Sequence, residues 1–254
     1  MSQTIDQVII DASTLHYREL NAALRQAIAS GASRIKVHGV QGHRYICCGF
    51  RSSRPVEVEI KGVPGNDLAA FMNAPITIRV RGNAQDGVAN TMNEGKILVY
   101  GNAGDVLGYS MRGGKLFIRG SAGYRVGIHV KAYRERAATI VVGNTAQDFF
   151  GEYMAGGVMA ILALDRKPPE PVVGEFLATG MHGGKIFIRE HIDPEIVGKE
   201  VSIFELQDAD WAELSALIAE FAADFGEDLS ALKKEEFVKL EPVSARPYGR
   251  FYAY

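Results

Sequence analysis

Cys47 and Cys48 are the two thiols of a 254-residue chain, and they are adjacent. Two cysteines are too few for a disulfide framework or a metal cluster. The stretch Tyr45-Ile-Cys-Cys reads as a strand holding buried, inert thiols. The histidines, His16, His38, His43, His129, His182 and His191, fall at no metal-ligand spacing. His129 and His182 both flank a recurring methionine position, which places them at one corner of the fold as surface residues rather than as a catalytic pair. Asp67, Asp86, Asp105 and Asp148 each follow a recurring glycine. Calcium-binding solenoids also place aspartate periodically, but in a nine-residue unit. The expected role here is hydrogen bonding to a turn backbone. Lys131, Arg134 and Arg136 form a basic insertion, read as a solvated loop that could also meet an anionic partner. Glycine spacings that suggest a dinucleotide-binding turn lack the helix such a turn must open. No Gly-Xaa-Ser-Xaa-Gly elbow, His-Glu-Xaa-Xaa-His pair or phosphate loop occurs. No catalytic, cofactor-binding or metal-binding residue is therefore assigned.

The elements that carry these residues are set by a repeat. Met72, Met92, Met111, Met154 and Met181 each end a polar or glycine-bearing stretch, and each precedes a short apolar strand. Met111-Arg-Gly-Gly-Lys-Leu-Phe-Ile-Arg and Met181-His-Gly-Gly-Lys-Ile-Phe-Ile-Arg are the clearest copies. Gly82, Gly101 and Gly120 are spaced by 19 residues, and Val130 fills a methionine slot. Such a period marks units that bury their apolar faces only by stacking. No helix of three turns fits between the strands, so the return segment must be extended, with glycine at its corners. The alternating strands should point one set of side chains in and the other out. The fold class that follows is mainly β: a parallel β-helix, or solenoid, of about six coils. The methionines form an inward stack whose flexible thioethers fill the gap between coils. Insertions at 131–136 and 165–171 interrupt the pattern.

Residues 14–30 read as an amphipathic helix, capped by Ser13 or Thr14 and ended by Gly31. Asp208 opens a second, with Trp211, Leu214, Leu217, Ile218, Phe221 and Phe225 on one face and Gly226 at its end. Open solenoid ends expose apolar side chains and strand edges, so the two helices are expected to cover the ends or to offer docking faces. The division is 1–55 for an N-terminal helix and strand cap, 56–205 for the glycine-repeat β-helix, and 206–254 for a C-terminal helix and tail packing on the solenoid or a partner. The tail, Ser244 to Tyr254, is rich in aromatic and arginine residues. A hydrophobic content of 47% supports a sizeable core, and a formal charge of −2 gives no nucleic-acid signal. No apolar run approaches the ~18 residues of a membrane span. The expected location is cytoplasmic, given the cysteine count and a start without a basic, apolar leader.

Several of these segments also carry a family resemblance. Gly65-Asn-Asp-Leu-Ala-Ala-Phe-Met72, Gly108-Tyr-Ser-Met-Arg-Gly-Gly114, Gly123-Tyr-Arg-Val-Gly-Ile-His129, Gly151-Glu-Tyr-Met-Ala-Gly-Gly157 and Gly180-Met-His-Gly-Gly184 resemble the glycine-repeat (GXGXG) C-terminal domain of the glutamate synthase large subunit. The likeness is to the free-standing, archaeal-type form, and it runs from Leu15-His-Tyr-Arg-Glu-Leu20 to Arg246-Pro-Tyr-Gly249. It implies a right-handed β-helix with a structural role. It implies no cofactor in this chain, with FMN and iron–sulfur clusters on partner subunits. The implied partners are a glutaminase (amidotransferase) subunit and an FMN-binding synthase subunit. A ferredoxin-like or an NAD(P)H-oxidising subunit are two alternatives for the electron supply. The implied overall reaction turns glutamine and 2-oxoglutarate into glutamate. Related glycine repeats belong to a scaffold subunit of formylmethanofuran dehydrogenase and to N-methylglutamate synthase, which remain alternatives. A solitary β-helix lyase or a hexapeptide acyltransferase would need an acidic and basic cluster on an exposed strand face, or a six-residue period. This sequence has neither.

Overall fold

A computed structural model of the chain describes residues 7–243; the tail that begins at Ser244 lies outside them. In chain order the elements are β1 (Gln7–Asp11), α1 (Tyr17–Ala29), β2 (Arg34–Gln41), β3 (Val56–Val63), β4 (Asn73–Arg81), β5 (Glu94–Val99), β6 (Gly114–Ile118), β7 (Ala138–Val142), β8 (Ala155–Ile161), β9 (Gly183–Ile188), β10 (Val201–Glu205), α2 (Asp208–Phe225) and β11 (Val238–Pro242). Strands β1 to β9 pair in sequence order, each parallel to the last. The chain is thus a parallel β-solenoid of about six turns with two helices. Beyond β9 the direction reverses. β11 pairs antiparallel with β9, and β10 antiparallel with β11.

The interior is filled by aligned rows. Ile97, Leu116, Ile140, Met159 and Ile186 stack in register, as do Val99, Ile118, Val142, Ile161 and Ile188. All ten are buried, and the methionine positions Met72, Met92, Met111, Met154 and Met181, with Val130 among them, are fully buried opposite. At about 25 cal/mol per Å² of apolar surface removed from water, each such side chain stabilises the fold by roughly 1.5–3 kcal/mol.

The strand side chains alternate in and out as expected, and in β2, β3 and β4 burial alternates with them, but in the later strands the outward set is covered too. In β5, β6, β7 and β9 the last three residues are all buried. The reason is α2, which lies along the outer face of the sheet. Leu98, Phe117, Val141, Ala160 and Phe187 point outward and pack with Leu214, Ile218 and Phe221 of the helix. Phe117 and Phe221 rings lie 5.7 Å apart. Towards the N-terminus the same outward row is charged: Arg79 of β4 pairs in register with Glu59 of β3, and Glu59 with Lys36 of β2. The helix therefore seats where the outward row turns apolar. It covers a side of the rod, not an end; the far end is closed by β11 and β10.

α1 does cover an end. It spans 17–29, with His16 rather than Ser13 or Thr14 as N-cap and Glu19 returning a bond to the His16 N–H. Its Asn21 donates to Tyr45 O (3.0 Å) and accepts from Cys47 N (2.9 Å), while Arg25 donates to Cys48 O (2.9 Å). Those are the backbone groups that another coil would otherwise satisfy.

Candidate functional site

The return segment between strands is not extended, as its sequence suggested, but built from tight turns with a repeated conformation. Seven successive corners each hold three alternate residues at positive φ. They are Tyr45/Cys47/Gly49, Asp67/Ala69/Phe71, Gly87/Ala89/Thr91, Val106/Gly108/Ser110, Arg125/Gly127/His129, Phe149/Gly151/Tyr153 and Phe176/Ala178/Gly180. A left-handed residue other than glycine costs roughly 1–2 kcal/mol, and β-branched Thr91 and Val106 are the extreme cases. The conformation is held from both sides. Successive left-handed residues send their N–H alternately to the next and the preceding coil: Asp67 N to Asp86 O, Ala69 N to Ile46 O, Phe71 N to Asn90 O. Each such bond contributes roughly 0.5–1.5 kcal/mol.

The three positions have different jobs. The middle one faces inward and is always small. A methyl group on Gly108, Gly127 or Gly151 would overlap Ile140, Met159 or Ile186 on the facing strand. Cys47 occupies this middle position in the first corner and is fully buried. The expectation of a buried thiol holds for Cys47, but the segment is a turn rather than a strand. Burial pushes its pKa up to about 12. The Cys48 thiol is raised as well, by burial and by the charge of Asp67. Neither is a ready nucleophile, because the thiolate is the reactive form.

The aspartates hold neighbouring coils rather than their own turns. Asp86 accepts from Asp105 N, and Asp105 from Tyr124 N, each at 2.9 Å and across 19 residues. Asn83 and Asn102 do the same for Asn102 N and Ser121 N. Glycine is required beside each acceptor: a side chain on Gly104 would overlap Asp86 Oδ1, and one on Gly123 would overlap Asp105 Oδ1.

The outer corner positions form an aromatic ridge that the sequence reading missed. The His129 ring stacks on Tyr153 (5.2 Å, 12°) and meets Tyr109 edge-on (5.9 Å, 88°). Phe149 stacks on Phe176 (4.8 Å, 11°), with the Arg125 guanidinium 4.2 Å above Phe149. Tyr109, Tyr153 and Phe176 remain exposed, as does Phe71 on the third position of its corner. The signal was available once corners are aligned: Phe149 and Phe176 share the first position, and His129 and Tyr153 the third. His129 is exposed on this ridge, while His182, in a later coil, bonds Gly180 O through Nδ1 (3.1 Å).

The insertion 131–136 leaves the same corner. Arg136 donates to Asn73 Oδ1 (2.8 Å) and Asn93 O (3.4 Å), pinning the loop back across two earlier coils. Tyr133 and Arg134 form its exposed tip. In the second insertion, Asp165 pairs with Arg119 and Arg166 with Glu190. A groove of about 380 Å³ runs between α2 and residues 227–232, lined by Trp211, Ser215, Ala219, Leu229 and Leu232. Its acids are engaged: Glu227 pairs with Arg119, and Asp228 accepts from Ser230. Among the described residues no group of three His, Cys, Asp or Glu side chains is placed to hold a metal ion. No helix among them is long and apolar enough to cross a membrane.

Comparison with known proteins gives the same frame. A family model described as the GXGXG motif matches residues 5–242. An uncharacterized protein of Methanocaldococcus jannaschii is 42% identical over 255 residues, covering 98% of this chain and 97% of that protein. The match spans every coil of the rod, and the chain belongs to the GXGXG-motif family, in agreement with its resemblance to the glycine-repeat domain of glutamate synthase.

Proposed function

We propose that this chain is a non-catalytic assembly subunit of a glutamine-dependent glutamate synthase complex. Its task is to dock an amidotransferase subunit and an FMN and iron–sulfur synthase subunit in fixed relation. The observation that carries this reading is that the repeat residues are consumed by holding the rod together. The aspartate and asparagine series bonds backbone, the middle glycines make room for facing side chains, and Cys47 is buried. What is left over is surface: the aromatic ridge and the loop beside it. A rigid spacer with adherent faces suits chemistry carried on other chains. Family membership supports the reaction class.

Co-expression tests the proposal. The tagged chain, expressed with the amidotransferase and flavoprotein subunits encoded by the same organism, is expected to elute with both in one complex carrying flavin absorbance. Elution of the chain without either subunit would end the proposal. Capture of a pterin-handling hydrolase in their place would assign the chain to the formyl-transfer complexes instead.

A further inference from the structure

The ridge and the insertion beside it carry a charge that the molecule as a whole does not. The chain has a formal charge of −2. Yet the loop that leaves this corner carries Lys131, Arg134 and Arg136 against Glu135, Arg112 follows the Met111 whose carbonyl the loop bonds, and the Glu152 carboxylate next to Tyr153 is taken up by Arg125. The loop is held over this spot: Arg136 bonds Asn73 and Asn93, and a Cβ on Gly113, the residue after Arg112, would lie 3.3 Å from Arg136 Cβ. Lys131 follows His129 by two residues, and its N–H bonds Met111 O (3.1 Å). Tyr133 is half exposed, with the Arg134 guanidinium 5.3 Å from its ring.

The outward row under α2 differs: Lys96 and Lys115 pair with Glu220, Lys185 with Glu213, and Arg119 with Glu227 and Asp165. Among the described residues, Arg112, Lys131 and Arg134 form no ion pair, and Arg112 Nε is buried without a hydrogen-bond partner. An exposed run of tyrosine rings rimmed by free guanidinium and ammonium groups has the composition of an interface centre with a charged rim. Cations outnumber acids in this rim, with Glu135 the one acid of the loop, and the excess favours a partner of opposite sign.

We propose that this corner, centred on Tyr109, His129, Tyr153 and the loop tip Tyr133–Arg134, is the docking surface for an acidic face of a partner subunit. The partner presents carboxylates to Lys131, Arg134 and Arg112 and an apolar or aromatic centre to the tyrosines. The inference rests on the assembly role proposed above and names the face that performs it. The α2 face, whose acids are tied to the Lys96, Lys115 and Lys185 row, is not that face.

The test uses the co-expressed complex. Lys131→Glu combined with Arg134→Glu changes only exposed side chains, and Tyr153→Ser removes the central ring. Both variants should keep the wild-type melting temperature. Each should bind the partner on the order of tenfold more weakly, and the charge-reversed one should lose the salt dependence of the wild-type association. A photo-crosslinking phenylalanine analogue at Tyr133 should join the chain to the acidic partner, while the same analogue at Ile9, on β1, should not. If wild type holds the complex and both variants hold it equally well, or Ile9 crosslinks in place of Tyr133, the docking surface lies elsewhere and the assembly role stands. If wild type itself recruits neither subunit, the assembly role and this surface fall together.

Discussion

Asp105 shows how one side chain ties two coils. Its carboxylate accepts from Tyr124 N, 19 residues on, while its own N–H donates to Asp86. The needed feature is an acceptor at that spot, not a charge, because Asn83 and Asn102 do equivalent work. Asp105→Asn should therefore keep the melting temperature nearly unchanged. Asp105→Ala should lose about 1 kcal/mol in a denaturant titration. Equal losses for both would mean that the charge matters and the ladder does not. The two thiols give a second residue-scale outcome. With its pKa raised by burial to about 12, Cys47 should resist alkylation at neutral pH until the chain unfolds; labelling of folded protein at Cys47 would contradict the packing. At this scale the sequence was legible where a residue repeats. The methionine stack follows from spacing alone. The left-handed residues did not, because Tyr45, Phe71, Val106 and Phe149 are poor candidates for positive φ. Their conformation is imposed by bonds to coils on both sides.

At the scale of elements, α2 is the part whose place could not be read. Its apolar stripe and the Gly226 ending at φ 71° were evident, but a stripe does not say which surface it meets. The answer lay in a second pattern, the outward row that changes from Lys36, Glu59 and Arg79 to Leu98, Phe117 and Phe187. Around that apolar seat runs a clamp of ion pairs, the most buried being Asp210 with Lys239 at 2.9 Å. Burial pushes the Asp210 carboxyl up, but bonds from Lys239 and the Gln207 N–H, with the charges of Lys239 and Lys185, outweigh it and hold the pKa below its ordinary 3.8. Glu220 is held below 4.5 against burial by Lys115 and Lys96. Lys239, against burial, is held above 10.5 by Asp210 and Glu241, and Lys185 by Glu213 ahead of Asp210. The carboxylate contributions are thus present above the ordinary carboxylate values and lost as pH falls through the lowered ones. The lysine contributions are present below 10.5 and lost as pH rises through the raised ones. Melting temperature should be flat between these limits and fall outside them. Asp210→Ala should cost about 3 kcal/mol, because Lys239 keeps only Glu241. Asp210→Leu combined with Lys239→Met should recover most of that loss. A double variant as unstable as the single one would show that the pair does more than satisfy itself.

For the whole molecule, regularity is the property on which the proposed assembly role rests. A continuous core runs from Ile10 of β1 to Leu240 of β11, so the rod is one stiff body on which distant faces keep their relation. The repeat gave the coil count and the resemblance gave the family, because both are written in local spacing. The ridge was not read, because a surface column emerges only after rungs are stacked in register. The most direct measurement is glutamate formation by the reconstituted subunits, with glutamine and with ammonium as nitrogen source, in the presence and absence of this chain. The flavoprotein alone, with a reductant, is expected to convert 2-oxoglutarate and ammonium to glutamate without this chain. Glutamine-dependent synthesis should require this chain, be restored by adding it back, and need about tenfold more of the chain when it carries Lys131→Glu combined with Arg134→Glu. Glutamine-dependent synthesis of equal rate without the chain, or ammonium-dependent synthesis that disappears without it, would contradict an assembly role.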